Sequence, residues 1–253
     1  MPDKPIIDIR LFGAEKTWQP GRAQPADLEA SYGISRDQKR RLNHVATRIC
    51  RKLREKEFSI GGCDHLYISF IKESDQAGGN TQDSQWGGAR VVYSYLPLPP
   101  TRLSGKEKED EEIFLELIKV ALTSANQQGK EGLIKISDTF DEYGSLGSEI
   151  EITLKQKETK NYSITVSYRI CPNEAVSVAY LSVYDKESKI ARRGKITSLL
   201  LWSDIMPLCG TIIANKEEVT IKPMKSFSAE IVTKKYPTPF TLKISELEQL
   251  QSG

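Results

Sequence analysis

Between Glu149 and Asp185 apolar and polar residues alternate three times in succession, in "EIEITLKQ", "NYSITVSYRI" and "AVSVAYLSVYD". A period of two sends successive side chains to opposite faces of a pleated strand, whereas a helix would scatter them around its axis. Ile150, Ile152 and Leu154 share a face in the first segment, Tyr162, Ile164, Val166 and Tyr168 in the second, and Val176, Val178 and Tyr180 in the third. "KETKN" is short enough to join the first two as a hairpin. The stretch therefore reads as antiparallel sheet. Beyond it a short helix is expected around Leu199 to Cys209. "EVTIKP", "SAEIVTK" and "FTLKISEL" read as short strands of edge character, because prolines flank them.

The first part of the chain follows another period. Ile7, Ile9 and Leu11 alternate with Asp8 and Arg10 in an initial strand, and a proline- and glycine-rich loop over 14–34 follows, carrying Trp18. Ser35-x-x-Gln38 fits a capping box, in which two side chains satisfy each other's orphan backbone donors at a helix start. Leu42, Val45, Ala46, Ile49, Cys50 and Leu53 then recur at steps of three and four, one buried stripe of a helix over 36–57. Gly61 and Gly62 break the pattern. "HLYISFI" alternates as a strand, the glycine-rich run Glu73 to Ala89 with Trp86 reads as a long loop, and "RVVYSYL" resumes as a strand. With no helix between them, these two strands are expected to pair antiparallel. A second helix spans Lys106 to Gln128, opened by Ser104-x-x-Glu107 with acidic residues at its start, where the helix dipole favours them. Leu133, Ile136, Phe140 and Tyr143 mark a shorter one. The fold class is α+β: a mixed helix and strand region over 1–145, then a mainly antiparallel β-rich region over 146–253, as two domains or one continuous body.

Several functions are disfavoured by what the chain carries. Its 36 basic and 34 acidic side chains leave a formal charge of +2, so no whole-protein field draws it to nucleic acid or an anionic membrane. No apolar run is long enough to span a bilayer, and the N-terminus lacks a signal-peptide pattern. Four scattered cysteines without a CxxC spacing read as reduced thiols in the cytoplasm. Two histidines and no paired cysteines argue against a zinc site, no phosphate loop or dinucleotide fingerprint occurs, and no cofactor is expected.

Cys63-Asp64-His65 lists the residue types of a nucleophilic cysteine site, which needs a base within hydrogen-bond reach. On an extended chain Cys63 and His65 share a side about 7 Å apart, and Asp64 faces away, so it is not expected to orient His65. Asp138, Asp141 and Glu142 cluster on a helical turn without a third spaced ligand. The helix over 36–57 is the most unusual surface: Arg36, Lys39, Arg40, Arg41, Arg48, Arg51, Lys52, Arg54 and Lys56 face only Asp37 and Glu55, with His44 on the same solvated side. Such a face can grip phosphates, dock an acidic protein, or match the acidic start of the second helix. Trp18 and Trp86 are of the residue type most often found as interface anchors.

The layout of "IIDIRLFG", the basic helix and "HLYISFI" leading to "RVVYSYLPLPP" resembles, over about the first hundred residues, the immunity proteins of bacterial polymorphic toxin systems. The resemblance implies a protein that binds one cognate toxin domain and blocks it; it carries no specific residues over. The expected function is thus a non-enzymatic inhibitor or immunity factor with a protein partner, contacting it through Trp18, Arg40, Arg41, Arg48, Arg51 and Trp86. The alternatives are a cysteine-dependent hydrolase using Cys63 and His65, and a nucleic-acid-binding protein acting through the helix over 36–57.

Overall fold

The computed structural model describes residues 4–14, 27–72, 82–86, 89–171 and 176–250. It divides into two compact units, Met1–Gly147 and Ser148–Gly253, and the fold class is α+β. The helix that precedes the boundary stops at Gly147, whose φ of +53° lies in the left-handed region that glycine enters without strain.

The N-terminal unit is built on a four-stranded sheet in the order β1 (Asp8–Ala14), β2 (His65–Ile71), β4 (Ala89–Pro97) and β3 (Gln82–Trp86). The crossover from β1 to β2 carries helices α1 (Leu28–Tyr32) and α2 (Arg36–Glu55), and the two strands are parallel with Ile9 opposite Leu66. β2 and β4 are also parallel, with Leu66 opposite Val92. The antiparallel pairing expected for them is thereby corrected. The return stroke that a parallel pair requires is made by β3, which lies within the run read as loop and forms an antiparallel pair with β4. β2 is central and buried on both faces, not one: Leu66, Ile68 and Phe70 alternate with Tyr67, Ser69 and Ile71, and all are covered.

Helix α2 starts as its sequence demands, with Ser35 Oγ accepting from the Gln38 backbone N–H at 3.1 Å. The Gln38 side chain does not complete the box. It donates instead to Asp110 of helix α3 (Glu107–Ala125) at 3.0 Å. Ser104 likewise is not the cap of α3, which is Lys106; its backbone N–H donates to Asp110 at 2.8 Å. A buried carboxylate thus collects donors from two elements and locks α2 to the start of α3. Phe114 of α3 meets Phe70 edge to face at 5.0 Å, and helix α4 (Gly129–Leu146) packs beside α2 and α3 with Ile136 and Tyr143 buried. Leu133, read as part of that apolar stripe, is exposed.

The C-terminal unit holds a five-stranded antiparallel sheet and a three-stranded one. The larger runs in the order β12 (Glu248–Gln249), β8 (Ala191–Leu199), β7 (Ser177–Asp185), β6 (Tyr162–Arg169) and β5 (Glu151–Glu158). The smaller is β11 (Phe240–Lys243), β10 (Glu218–Lys222) and β9 (Thr211–Ala214). Ile152, Ile164, Val166, Tyr168, Leu181, Val183, Val219, Ile221 and Phe240 form one core between them. In β7 the buried face is Ala179, Leu181 and Val183, not Val176, Val178 and Tyr180. Both faces of that segment are apolar, and the register against β6, with Val166 opposite Leu181, decides which turns inward. β8, "ARRGKITSL", was not anticipated because its charges hide the alternation. Helix α5 (Ile205–Leu208) falls in the expected place, but "SAEIVTK" is not a strand: it lies in helix α6 (Phe227–Thr233), where Ser226 Oγ accepts from the Ala229 N–H at 3.2 Å.

Candidate interaction surfaces

Helix α2 does not present all of its cations to solvent. Arg40 and Arg41 are exposed and Arg51 is half-buried, but Arg48 and Lys52 are only 3% and 6% exposed. A helix flanked by the sheet on one side and by two helices on another buries more than its apolar stripe, and the stems of long cations fill the extra flank. Lys52 Nζ reaches Glu142 of α4 at 2.9 Å and Glu55 at 3.2 Å, and Lys56 meets Glu142 at 3.5 Å. Arg48 hydrogen-bonds Tyr143, whose hydroxyl also donates to Glu111 at 3.1 Å. Burial, then the Glu111 charge, pushes the Tyr143 phenol up to about 12. Lys39 pairs with Asp27 and, at 3.3 Å, with Glu29. Much of the helix's charge is therefore matched within the unit, by Asp27, Glu29, Glu55 and Glu142. Arg48 is corrected from partner contact to internal brace, and His44 from the solvated face to a half-buried site. Trp86 ends β3 opposite Ala89, and Trp18 lies outside the described residues.

At Cys63-Asp64-His65 the expected separation of Asp64 from His65 is overturned. Asp64 Oδ1 lies 2.6 Å from His65 Nδ1, and Asp64 also accepts the Arg90 N–H at 3.3 Å. Asp64 precedes the first residue of β2, so strand alternation does not govern it and its side chain folds back. Partial burial works to raise the Asp64 carboxyl, but the bond and charge of His65, the bond from the Arg90 backbone N–H and the charge of Lys4 outweigh it and hold it below the usual range. An oriented histidine is thus present. The thiol is 3% exposed, in an isolated bridge with Ile60, where no substrate carbonyl can approach it. Cys50 and Cys209 are also buried, and burial pushes their thiols up to about 12 and about 11. Native protein treated with iodoacetamide at neutral pH is expected to label at half-exposed Cys171 and not at Cys50, Cys63 or Cys209; mass mapping before and after denaturation checks this.

The surface that sequence reasoning missed belongs to the C-terminal unit. Phe227 is 76% exposed, Leu200 70%, Leu201 59%, Met224 51% and Ile231 46%. Phe227 and Ile231 are one turn apart on α6, which packs on α5. Met224 is tied to that helix pair through its N–H to the Pro207 carbonyl at 2.8 Å. Leu200 is held beside the far end of α6 because its backbone N–H donates to the Tyr236 hydroxyl at 2.8 Å. That hydroxyl in turn donates to buried Asp204 at 2.7 Å, and the Leu201 N–H reaches the same carboxylate at 3.3 Å. Burial, then the bond to Asp204, raises the Tyr236 phenol to about 12. Lys222 and Lys225 flank Met224 along the chain and Lys234 and Lys235 follow α6, all exposed and without an ion pair among the described residues; Glu230 is the acidic residue between them in sequence. The signal in the sequence was the apolar run around "SLLLWSDIMPL", which reads as a short helix and as too broken for a membrane span, together with "SFSAEIVTKK", whose apolar residues fit helical spacing better than alternation.

Tyr236→Phe tests the support beneath the patch. It removes the donor to Asp204 and the acceptor for Leu200, and is expected to cost about 1–3 kcal/mol, read by urea unfolding. The sign with pH follows from the same phenol. Its folded pKa is above the unfolded value near 10, so its contribution is complete below pH 10 and is lost as pH rises through about 12.

Among the described residues no group of three or more histidine, cysteine, aspartate or glutamate side chains is placed to hold a metal, and no helix is long and apolar enough to cross a membrane. No family model, no curated protein and no solved structure matches the chain.

Proposed function

We propose that this chain is a non-catalytic binding protein of the inhibitor or immunity kind, which docks on a cognate toxin domain in the bacterial cytoplasm and blocks it. The observation that carries this reading is the patch of Leu200, Leu201, Met224, Phe227 and Ile231. Contiguous exposed apolar side chains rimmed by polar ones mark interaction sites, because leaving them in water costs the free protein stability that only a partner restores. At these exposures the side chains stand proud of the surface, as anchors that enter a partner's cleft. The lysine rim favours a target whose cleft is bordered by carboxylates.

The exposed Arg40 and Arg41 of α2 form a separate basic surface suited to steering an acidic partner, with less apolar area to hold it. Co-expression with a toxin domain encoded beside this gene tests the reading: the two proteins co-purify and the cells survive. Cells that die with the two proteins separate would contradict it.

A further inference from the structure

The two sheets of the C-terminal unit meet along two seams, and only one is closed. At the first, Lys155 and Lys157 of β5 reach across to β9: Lys155 Nζ donates to the Gly210 carbonyl and Lys157 Nζ to the Ile212 carbonyl at 2.6 Å. Ammonium groups there satisfy carbonyls that no strand pairs. At the second seam β12 covers β8 at Arg192 and Arg193, the Leu250 N–H extends the cover to the Ala191 carbonyl at 2.9 Å, and the outer edge of β8 from Gly194 onward pairs with no strand among the described residues. β11 pairs with β10 alone, so its outer edge is open as well. Both edges border one cleft of about 490 Å3, to which β8 contributes Lys195, β11 contributes Thr241 and Leu242, and the following segment Leu247 and Leu250.

We infer that this cleft binds an extended peptide segment as an added strand on β8, with an acidic residue beside Lys195. An unpaired strand edge offers alternating N–H and C=O groups that an extended backbone completes, and the cavity is within the size range of ligand sites. The side-chain chemistry follows from what β12 already does. Glu248 stands opposite Arg193, an opposite-charge cross-strand pair, and the residues before it, which the antiparallel register would carry on to set Glu246 opposite Lys195, instead form a 3-10 turn over Ile244–Glu246 in which Glu246 binds Lys243. Lys195 is exposed and forms no ion pair among the described residues, whereas Lys243 is matched by Glu246 at 3.0 Å and Arg193 by Glu151. The vacant cross-strand position therefore suits a carboxylate, with apolar neighbours of the guest against Leu242, Leu247 and Leu250. This site is independent of the apolar patch at α6.

The test uses the full chain and end-capped fluorescent pentapeptides that alternate valine with glutamate or valine with lysine, read by anisotropy. The glutamate peptide is expected to bind about tenfold tighter than the lysine peptide, and Lys195→Glu to invert that order. N-methylation of alternate peptide bonds, which removes backbone donors without changing charge, is expected to abolish binding. Lys195 is exposed, so circular dichroism of the variant should match the parent. The inference is overturned if neither peptide saturates at millimolar concentration, if the N-methylated peptide binds as well, or if the preference survives Lys195→Glu.

Discussion

Phe114→Ala is expected to cost the N-terminal unit about 3–5 kcal/mol, the range for deleting a fully buried aromatic ring. Phe114 has no exposed surface, and its ring stands edge-on to that of Phe70 in the central strand of the sheet. This contact and the Gln38 to Asp110 bond seat α3, the first on the sheet and the second on α2. Losing the ring leaves a void that neighbouring Ile118 and Leu122 cannot refill without moving the helix. For a unit of this size the melting temperature should fall by roughly 10 °C. Arg40→Glu with Arg41→Glu is the control, expected to stay within about 0.5 kcal/mol because both side chains are exposed. Urea unfolding followed by circular dichroism measures both. A loss under about 1 kcal/mol for Phe114→Ala would show that α3 does not rest on the sheet.

The elements with a strong period were legible from residues alone. The stripe of Leu42, Val45, Ile49 and Leu53 located α2, and the alternation of Ile164, Val166 and Tyr168 located β6 with its inward face. What failed did so where a non-local partner decides. β3 has no apolar pattern: "QDSQW" carries no alternation to read, and what marks it as a strand is its pairing along β4. Missing it also made the β2 and β4 pairing wrong. Arg48 and Lys52 look like surface residues by type, and only the packing of α4 against α2 shows that Tyr143 and Glu142 claim them. Asp64 was misjudged because alternation was extended one residue beyond the strand. The apolar patch was hidden for the opposite reason. Leu200 and Leu201 sit in an apolar run, and nothing in the run distinguishes buried Leu199 and Leu208 from their exposed neighbours. That distinction comes from Tyr236 and Asp204, which hold the loop by its backbone.

Leu200→Asp with Phe227→Asp is expected to weaken the toxin complex at least a hundredfold. Anchors at the centre of an interface cost 2 kcal/mol or more each when lost, and a carboxylate placed in an apolar cleft adds a desolvation penalty. An acidic rim on the proposed partner would repel it as well. Neither side chain is buried in the free chain, so the double variant should unfold at the same urea concentration as the parent. Loss of binding therefore separates cleanly from loss of fold. Lys225→Glu with Lys235→Glu should act differently, slowing association and flattening its salt dependence, because rim charges steer more than they hold.

The central claim is that the C-terminal patch, and not the arginine face of α2, is the docking surface. Calorimetric titration of the cognate toxin domain into the parent, the Leu200→Asp and Phe227→Asp variant, and the Arg40→Glu and Arg41→Glu variant tests it most directly. The account predicts that affinity collapses in the first variant and changes less than about tenfold in the second. Full affinity in the first with collapse in the second would contradict it.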